Sequence, residues 1–213
     1  MAKLICVMGE SGSGKTTAMR TLDPKSTYYI DVDGKGLTWK GWRDQFSLKN
    51  KNYLRIVEIP KLAAVLANIS DKGEAIKTIV VDTLNTAMVD KEVRSMSEKG
   101  YDKWVDLAQY VWSLIKDAAD LRDDLTIIFV MHSETIRDDS GNIFTHLRTN
   151  GRKLEKLVLE SLFNVVLLAK RTDDGHYVFE TQSNHSTAKA PMGALEQDVP
   201  NDMAAVLKAL AEY

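Results

Sequence analysis

Apolar and polar positions along this chain alternate between short strand-like runs and longer stretches of helical spacing. Runs rich in β-branched and aromatic residues, bounded by turn formers, predict strands at 3–8, 27–32, 53–59, 77–82, 125–132, 164–170 and 176–181. Between them the period lengthens. Trp104, Leu107, Ala108, Val111, Trp112, Leu114 and Ile115 form one broad apolar face, which predicts the longest helix over about 101–121. A shorter helix is predicted over 61–69, and another from Asn150 or Gly151 that carries Leu154, Leu157, Val158 and Leu162. A last helix over about 201–212 follows Pro200-Asn201-Asp202 and turns Met203, Val206, Leu207 and Leu210 to one side. Two turn clusters between strand-like flanks, Asp138-Asp139-Ser140-Gly141-Asn142 and Asp173-Asp174-Gly175, predict hairpins. The alternation implies an α/β fold: a mostly parallel central sheet flanked by helices, with an antiparallel hairpin extension near the C-terminus.

Length and composition narrow the class. The chain has 213 residues, 44% of them hydrophobic and 27% charged, which suits one globular α/β domain spanning 1–213. Its apolar runs are too short to span a bilayer and no signal-peptide pattern precedes them, so no membrane association and a cytoplasmic location are expected. Cys6 stands alone inside the first strand, which excludes an internal disulfide. With 28 basic and 30 acidic residues the net charge is −2, so any nucleic-acid surface must be a local patch.

The candidate chemistry begins at the first strand. Gly9-Glu10-Ser11-Gly12-Ser13-Gly14-Lys15-Thr16 fits the phosphate-binding P-loop at every fixed position, with a strand entering it and a short helix from Thr17 leaving it. Glycines let backbone N–H groups turn inward around phosphates, and the helix N-terminus adds partial positive charge. Lys15, expected to be an exposed loop cation before nucleotide arrives, would reach the β- and γ-phosphates of ATP, and the Thr16 hydroxyl would ligate Mg²⁺.

Three strand ends complete this reading. Thr78-Ile79-Val80-Val81-Asp82 is an apolar strand ending in an acid, so Asp82 would serve the Mg²⁺ shell beside Thr16. Tyr28-Tyr29-Ile30-Asp31-Val32-Asp33 supplies a carboxylate to activate the attacking water, and either acid could instead form a strand-end turn. The strand ending in Val130-Met131 delivers His132 to the same sheet edge, in reach of a γ-phosphate. His146, His176 and His185 lack zinc-ligand spacing.

In this order the P-loop, Ile30-Asp31-Val32-Asp33, Val80-Val81-Asp82-Thr83 and Val130-Met131-His132 resemble the core of a RecA-like ATPase. More narrowly, the chain resembles the small phage-encoded AAA-domain ATPases of single-strand DNA recombination and annealing, over about residues 3–195. The resemblance implies that Asp33 is the catalytic base, one methylene shorter than the Glu usual there, and that His132 is the sensor. It also likens Thr187-Ala188-Lys189-Ala190-Pro191-Met192-Gly193 to a late motif whose lysine reaches a neighbouring subunit's ATP site. Lys189 would then act in a homo-oligomer, although Pro191 replaces the second basic residue that relatives often carry. The loops after Asp82 and after His132 would contact single-stranded DNA. The second of these holds Arg148, Arg152 and Lys153, with Arg137 and His146 nearby.

A rival basic patch lies between Gly34 and Arg55, where lysines and arginines surround Trp39, Trp42 and Tyr53; its tryptophans are expected to turn into the core rather than stack on bases. The resulting expectation is an Mg²⁺-dependent ATPase that acts on single-stranded DNA with other recombination or replication proteins, in the host cytoplasm if phage-encoded. Two other classes fit the P-loop: a nucleoside or nucleotide kinase, and a nucleotide-controlled helicase loader or assembly factor that hydrolyses little ATP.

Overall fold

The computed structural model describes residues 1–96, 102–150, 154 and 157–211. The strands are β1 (Lys3–Gly9), β2 (Thr27–Asp31), β3 (Tyr53–Arg55), β4 (Thr78–Asp82), β5 (Thr126–Arg137), β6 (Ile143–Leu147), β7 (Val165–Arg171), β8 (Tyr177–Glu180) and β9 (Asp198–Pro200). The helices are α1 (Trp42–Gln45), α2 (Ile59–Lys72), α3 (Leu84–Arg94), α4 (Asp102–Ala119) and α5 (Met203–Ala211). Among the described residues the sheet runs β3-β2-β4-β5-β1-β7-β8-β9, with β6 paired to β5 alone. From β3 across to β7 all neighbours are parallel, while β5–β6, β7–β8 and β8–β9 are antiparallel. The parallel sheet, flanking helices and late antiparallel strands are those the alternation predicts.

Strand periodicity sorts the core into two layers. On β1, Leu4, Cys6 and Met8 face the layer formed by α2, α3 and α4, and Ile5 and Val7 face the opposite layer with Met203, Val206 and Leu210 of α5. Both faces of β1, β4 and β5 are covered, which explains their continuous apolar runs. Each fully buried Leu, Ile or Phe here contributes roughly 1.5–3 kcal/mol relative to exposure, so the central strands form the most resistant part of the molecule.

Four elements differ from the sequence reading, the first being the loop expected after Asp82: only Thr83 separates β4 from α3, which begins at Leu84. The strand predicted over 53–59 leaves the sheet after Arg55, and α2 starts at Ile59 with Pro60 in its first turn. That turn needs no N–H from Pro60, so the proline favours helix entry where the apolar run alone reads as strand. The helix expected from about 150 does not extend over the described stretch from 157: Leu157 and Val158 are not helical, Val158 is 65% exposed, and Leu159–Leu162 is a 3₁₀ turn. The carboxylate of buried Glu160 accepts bonds from the Leu147 N–H (3.0 Å) and the Thr187 hydroxyl (3.1 Å), which fixes the segment against β6 in a register that no single helical face satisfies. Finally, the loop expected after His132 is in large part a hairpin, with β5 running on to Arg137 and pairing with β6 from Ser133↔Leu147 to Arg137↔Ile143.

Candidate nucleotide site

The P-loop leaves the sheet at Gly9, where nothing larger fits: a Cβ there would stand 2.5 Å from Ser13 Oγ and 2.6 Å from the Ala169 carbonyl oxygen. Gly14 adopts φ +91°, and a Cβ on it would meet the Tyr177 ring at 2.9 Å. Glycine at these two positions is therefore a steric requirement. Beside the loop opens a cavity of about 700 Å³, bounded by Thr16, Lys35 and His132 on one side and by Arg20, Tyr177 and Asn201 on the other. Its volume lies in the range of small-ligand pockets.

Lys15 is not the exposed cation expected from sequence. Its side chain is 7% exposed, and Nζ donates to the carbonyls of Gly9 (2.8 Å) and Glu10 (2.6 Å). Burial lowers its pKa to about 8, with the nearby Asp82 charge opposing the shift. The loop thus holds its own lysine by carbonyl oxygens, directed at the space its backbone surrounds.

Asp82 is buried at the end of β4. Its Oδ2 accepts bonds from Thr16 Oγ1 (2.8 Å) and the Tyr29 hydroxyl (2.5 Å), and its Oδ1 accepts from Thr83 Oγ1 (2.9 Å). Burial raises its pKa above the ordinary carboxylate value against these hydrogen bonds. Thr16 and Asp82 therefore stand in direct contact, a pair of hard oxygen donors at the mouth of the loop. Among the described residues no cluster of three or more His, Cys, Asp or Glu side chains could cage a metal. The pair instead fits Mg²⁺, which takes one or two protein oxygens and completes its shell with phosphate and water.

The two acids at the end of β2 and in the turn after it have separate fates. Asp31 is 2% exposed, and its carboxylate accepts the backbone N–H groups of Gly34 (2.8 Å) and Gly36 (2.9 Å) and the Tyr53 hydroxyl (2.5 Å). It is the turn former. Asp33 is half-buried over the Asp82 end of the sheet, where Thr86 donates to Oδ1 (2.5 Å) and Lys35 pairs with Oδ2. Burial pushes the Asp33 carboxyl up, but the bonds from Lys35 and Thr86 outweigh it and leave its pKa below the ordinary value.

His132 pairs with Gly9 across β5 and β1, so the histidine stands level with the start of the P-loop. Half-buried, it has its pKa lowered by burial and then by the Lys15 charge, which favours the neutral ring. Its backbone N–H donates to Asn85 Oδ1 (2.7 Å), while Asn85 Nδ2 donates to the Arg148 carbonyl (2.8 Å). The Arg148 N–H returns a bond to the His132 carbonyl (2.9 Å). One buried amide on α3 thus braces His132 and Arg148, the two residues at the base of the hairpin.

Lys189 does not line the cavity. It extends the sheet by pairing with Val166, which lies next to Cys6, below the loop level. Arg148 is exposed at the base of the hairpin, whereas Arg152 and Lys153 lie outside the described residues. Sequence reasoning passed over Tyr29, Lys35, Asn85 and Thr86. Only Tyr29 carried a signal: a tyrosine within a buried strand needs a partner for its hydroxyl. The others are brought to the site by α3 and by the turn after β2, and no spacing in the sequence announces them.

A P-loop on the first strand of a parallel sheet, with an acid from a neighbouring strand against its threonine, defines the class of P-loop nucleotide-binding ATPases. Residues 1–190 match the profile of a family described as AAA domain (AAA_24), and the chain belongs to that family. No curated protein sequence matches it. Among solved structures, the KaiC-like protein PH0186 from the hyperthermophilic archaeon Pyrococcus horikoshii OT3 is similar, with a TM-score of 0.52 and 10% identity over 83% of this chain and 76% of that one. At that identity the likeness concerns the fold, which is RecA-like. Among the described residues, no helix is long and apolar enough to cross a membrane.

Proposed function

We propose that the chain is a single-domain, Mg²⁺-dependent ATPase that binds single-stranded DNA in recombination or replication and works as a homo-oligomer in the cytoplasm, the host's if the gene is a phage's. In this reading Gly9 to Thr17 hold the phosphates of ATP and Lys15 offsets their charge. Thr16 and Asp82 hold Mg²⁺, which would neutralise charge building on the phosphate oxygens. Asp33 takes a proton from the water that attacks the γ-phosphorus; the bond to the β–γ bridging oxygen breaks, and ADP and phosphate leave. The low pKa of Asp33 keeps it ionised at neutral pH and makes it a weak base, which suits slow turnover.

The observation that carries the DNA reading is the bridge from His132 through Asn85 to Arg148. It joins His132, which lines the cavity, to the base of a hairpin that exposes an aromatic ring and two arginines beside the acids Glu134, Asp138 and Asp139. Phe144 is 40% exposed and stacks on His146 at 6.4 Å, and Arg137 and Arg148 flank them. Lys189, away from its own cavity, is left to serve a neighbour's. The test is ATP hydrolysis with and without oligothymidylate, alongside chromatography of reactions containing nucleoside monophosphates. DNA-stimulated phosphate release supports the proposal; transfer of phosphate to a monophosphate would make the protein a kinase.

A further inference from the structure

The open edge of the sheet carries a second concave surface, which shares no lining residue with the cavity beside the P-loop. β3 is the terminal strand there. Between Gly34 and Arg55 the chain has six basic residues, Lys35, Lys40, Arg43, Lys49, Lys51 and Arg55, and one acid, Asp44, although its overall net charge is −2. A cavity of about 500 Å³ opens in this segment. Trp42, Phe46, Tyr53 and Leu54 form its floor and Arg43, Lys49 and Arg55 its rim, and no carboxylate lines it. Arg55 lies 3.8 Å from buried Asp31, so Arg43 and Lys49 carry the free charge of the rim.

The aromatic rings are not available for base stacking. Trp42, 9% exposed, packs on Tyr53 with centroids 5.3 Å apart, and the Arg43 guanidinium lies 4.5 Å over its ring. Phe46 is fully buried between Tyr29 and Trp39. A base needs an open ring face. What this surface presents instead is Leu48, 73% exposed, on a turn held from behind. Buried Asn52 accepts the Ser47 N–H (3.0 Å) and donates to the carbonyls of Pro24 (2.9 Å) and Gln45 (2.8 Å). Lys51 closes the turn at φ +56°, a conformation uncommon outside glycine, with its N–H on the Leu48 carbonyl (3.1 Å). A leucine fixed outward by buried polar bonds is organised for contact.

We propose that this edge groove docks an acidic peptide segment of a partner protein. Its carboxylates would pair with Arg43 and Lys49, and an apolar side chain would pack against Leu48 over the Trp42 and Tyr53 floor. Charge complementarity selects this occupant, and the free edge of β3 lets an extended peptide lie along it. The proposal does not depend on what the nucleotide site does.

The probe is a fluorescein-labelled peptide, Asp-Glu-Asp-Leu-Phe, titrated against the full chain by anisotropy. Binding should saturate, weaken with salt, and fall by about tenfold or more in Leu48→Asp and in Lys49→Glu. Both side chains are exposed, so the variants should melt as wild type and keep their ATP affinity. The proposal is overturned if wild type does not bind the peptide, or if both variants bind it as tightly as wild type. It is equally overturned if labelled oligothymidylate, and not the peptide, loses binding in the variants, which gives the groove to DNA. Sedimentation showing that Leu48→Asp breaks self-association in a chain that ignores the peptide would give it to a second copy.

Discussion

β1 and β5 run side by side up to the pair Gly9 and His132, and then they part. The P-loop side closes on itself: Lys15 is held by its own loop carbonyls and Thr16 by Asp82. The hairpin side opens outward, leaving Ile136 51%, Ile143 44% and Phe144 40% exposed. One side holds polar groups in mutual contact around a cavity, while the other exposes apolar side chains among charges of both signs, Arg137 and Arg148 beside Glu134, Asp138 and Asp139. Buried Asn85 on α3 holds the hairpin side at its root, bonding the His132 N–H and the Arg148 carbonyl, and His132 is where that side meets the P-loop cavity.

The largest break in this comparison comes from the closed side. Lys15→Ala should lower ATP affinity by about 100-fold or more, because a charge-assisted contact to phosphate is lost. Melting should change little, since Nζ bonds only carbonyls that border the cavity. Isothermal titration and a thermal melt check both halves of this statement.

Cutting the link should come next. Asn85→Ala leaves the His132 N–H and the Arg148 carbonyl without their side-chain partner, at a cost of about 1–3 kcal/mol in stability. It should also reduce the ATP-dependent gain in DNA affinity, read as the ratio of anisotropy titrations with and without ATP. Asn85→Asp keeps the acceptor for His132 but loses the donor to Arg148, and should uncouple the sides with ATP affinity near wild type. Unchanged ratios in both variants would mean that α3 carries no coupling.

A smaller effect follows from the lowered pKa of Lys15. Phosphate binds the ammonium form and raises the pKa of that lysine in the complex. ATP affinity should therefore be level below pH 8 and decline as pH rises above about 8, approaching tenfold per pH unit. A flat affinity from pH 7 to 9.5 would refute the lowered value. The smallest expected change is at Arg148. Its replacement by Ala should reduce the log–log salt slope of single-strand binding by about 0.7, the value for one phosphate contact.

The closed side was legible in the sequence because its signals are local. Glycine spacing, Lys15 and Thr16 lie within one loop, and strand periodicity placed Asp82 and His132 on the same sheet edge. The open side was legible only in part. The Asp138 to Asn142 turn announced a hairpin, but its length depends on pairing between β5 and β6, which no residue in either strand specifies alone. Leu154 and Leu157 had helical spacing, yet Glu160 bonds across to Leu147 and Thr187, a long-range demand that overrides local periodicity. Asn85 and Thr86 carried no signal, since a polar residue on an amphipathic helix normally reads as solvated surface.

The sharpest test lies at the end of β2, where Asp31 and, two residues beyond the strand, Asp33 look interchangeable in sequence and stand apart in structure. Steady-state ATP hydrolysis should be compared in Asp33→Asn and Asp31→Asn, with ATP affinity and melting measured on the same samples. The account predicts that Asp33→Asn binds ATP normally and turns over about 100-fold more slowly, while Asp31→Asn loses stability through its turn and retains turnover wherever it remains folded. Wild-type turnover in Asp33→Asn, or a folded Asp31→Asn that no longer hydrolyses ATP, would contradict it.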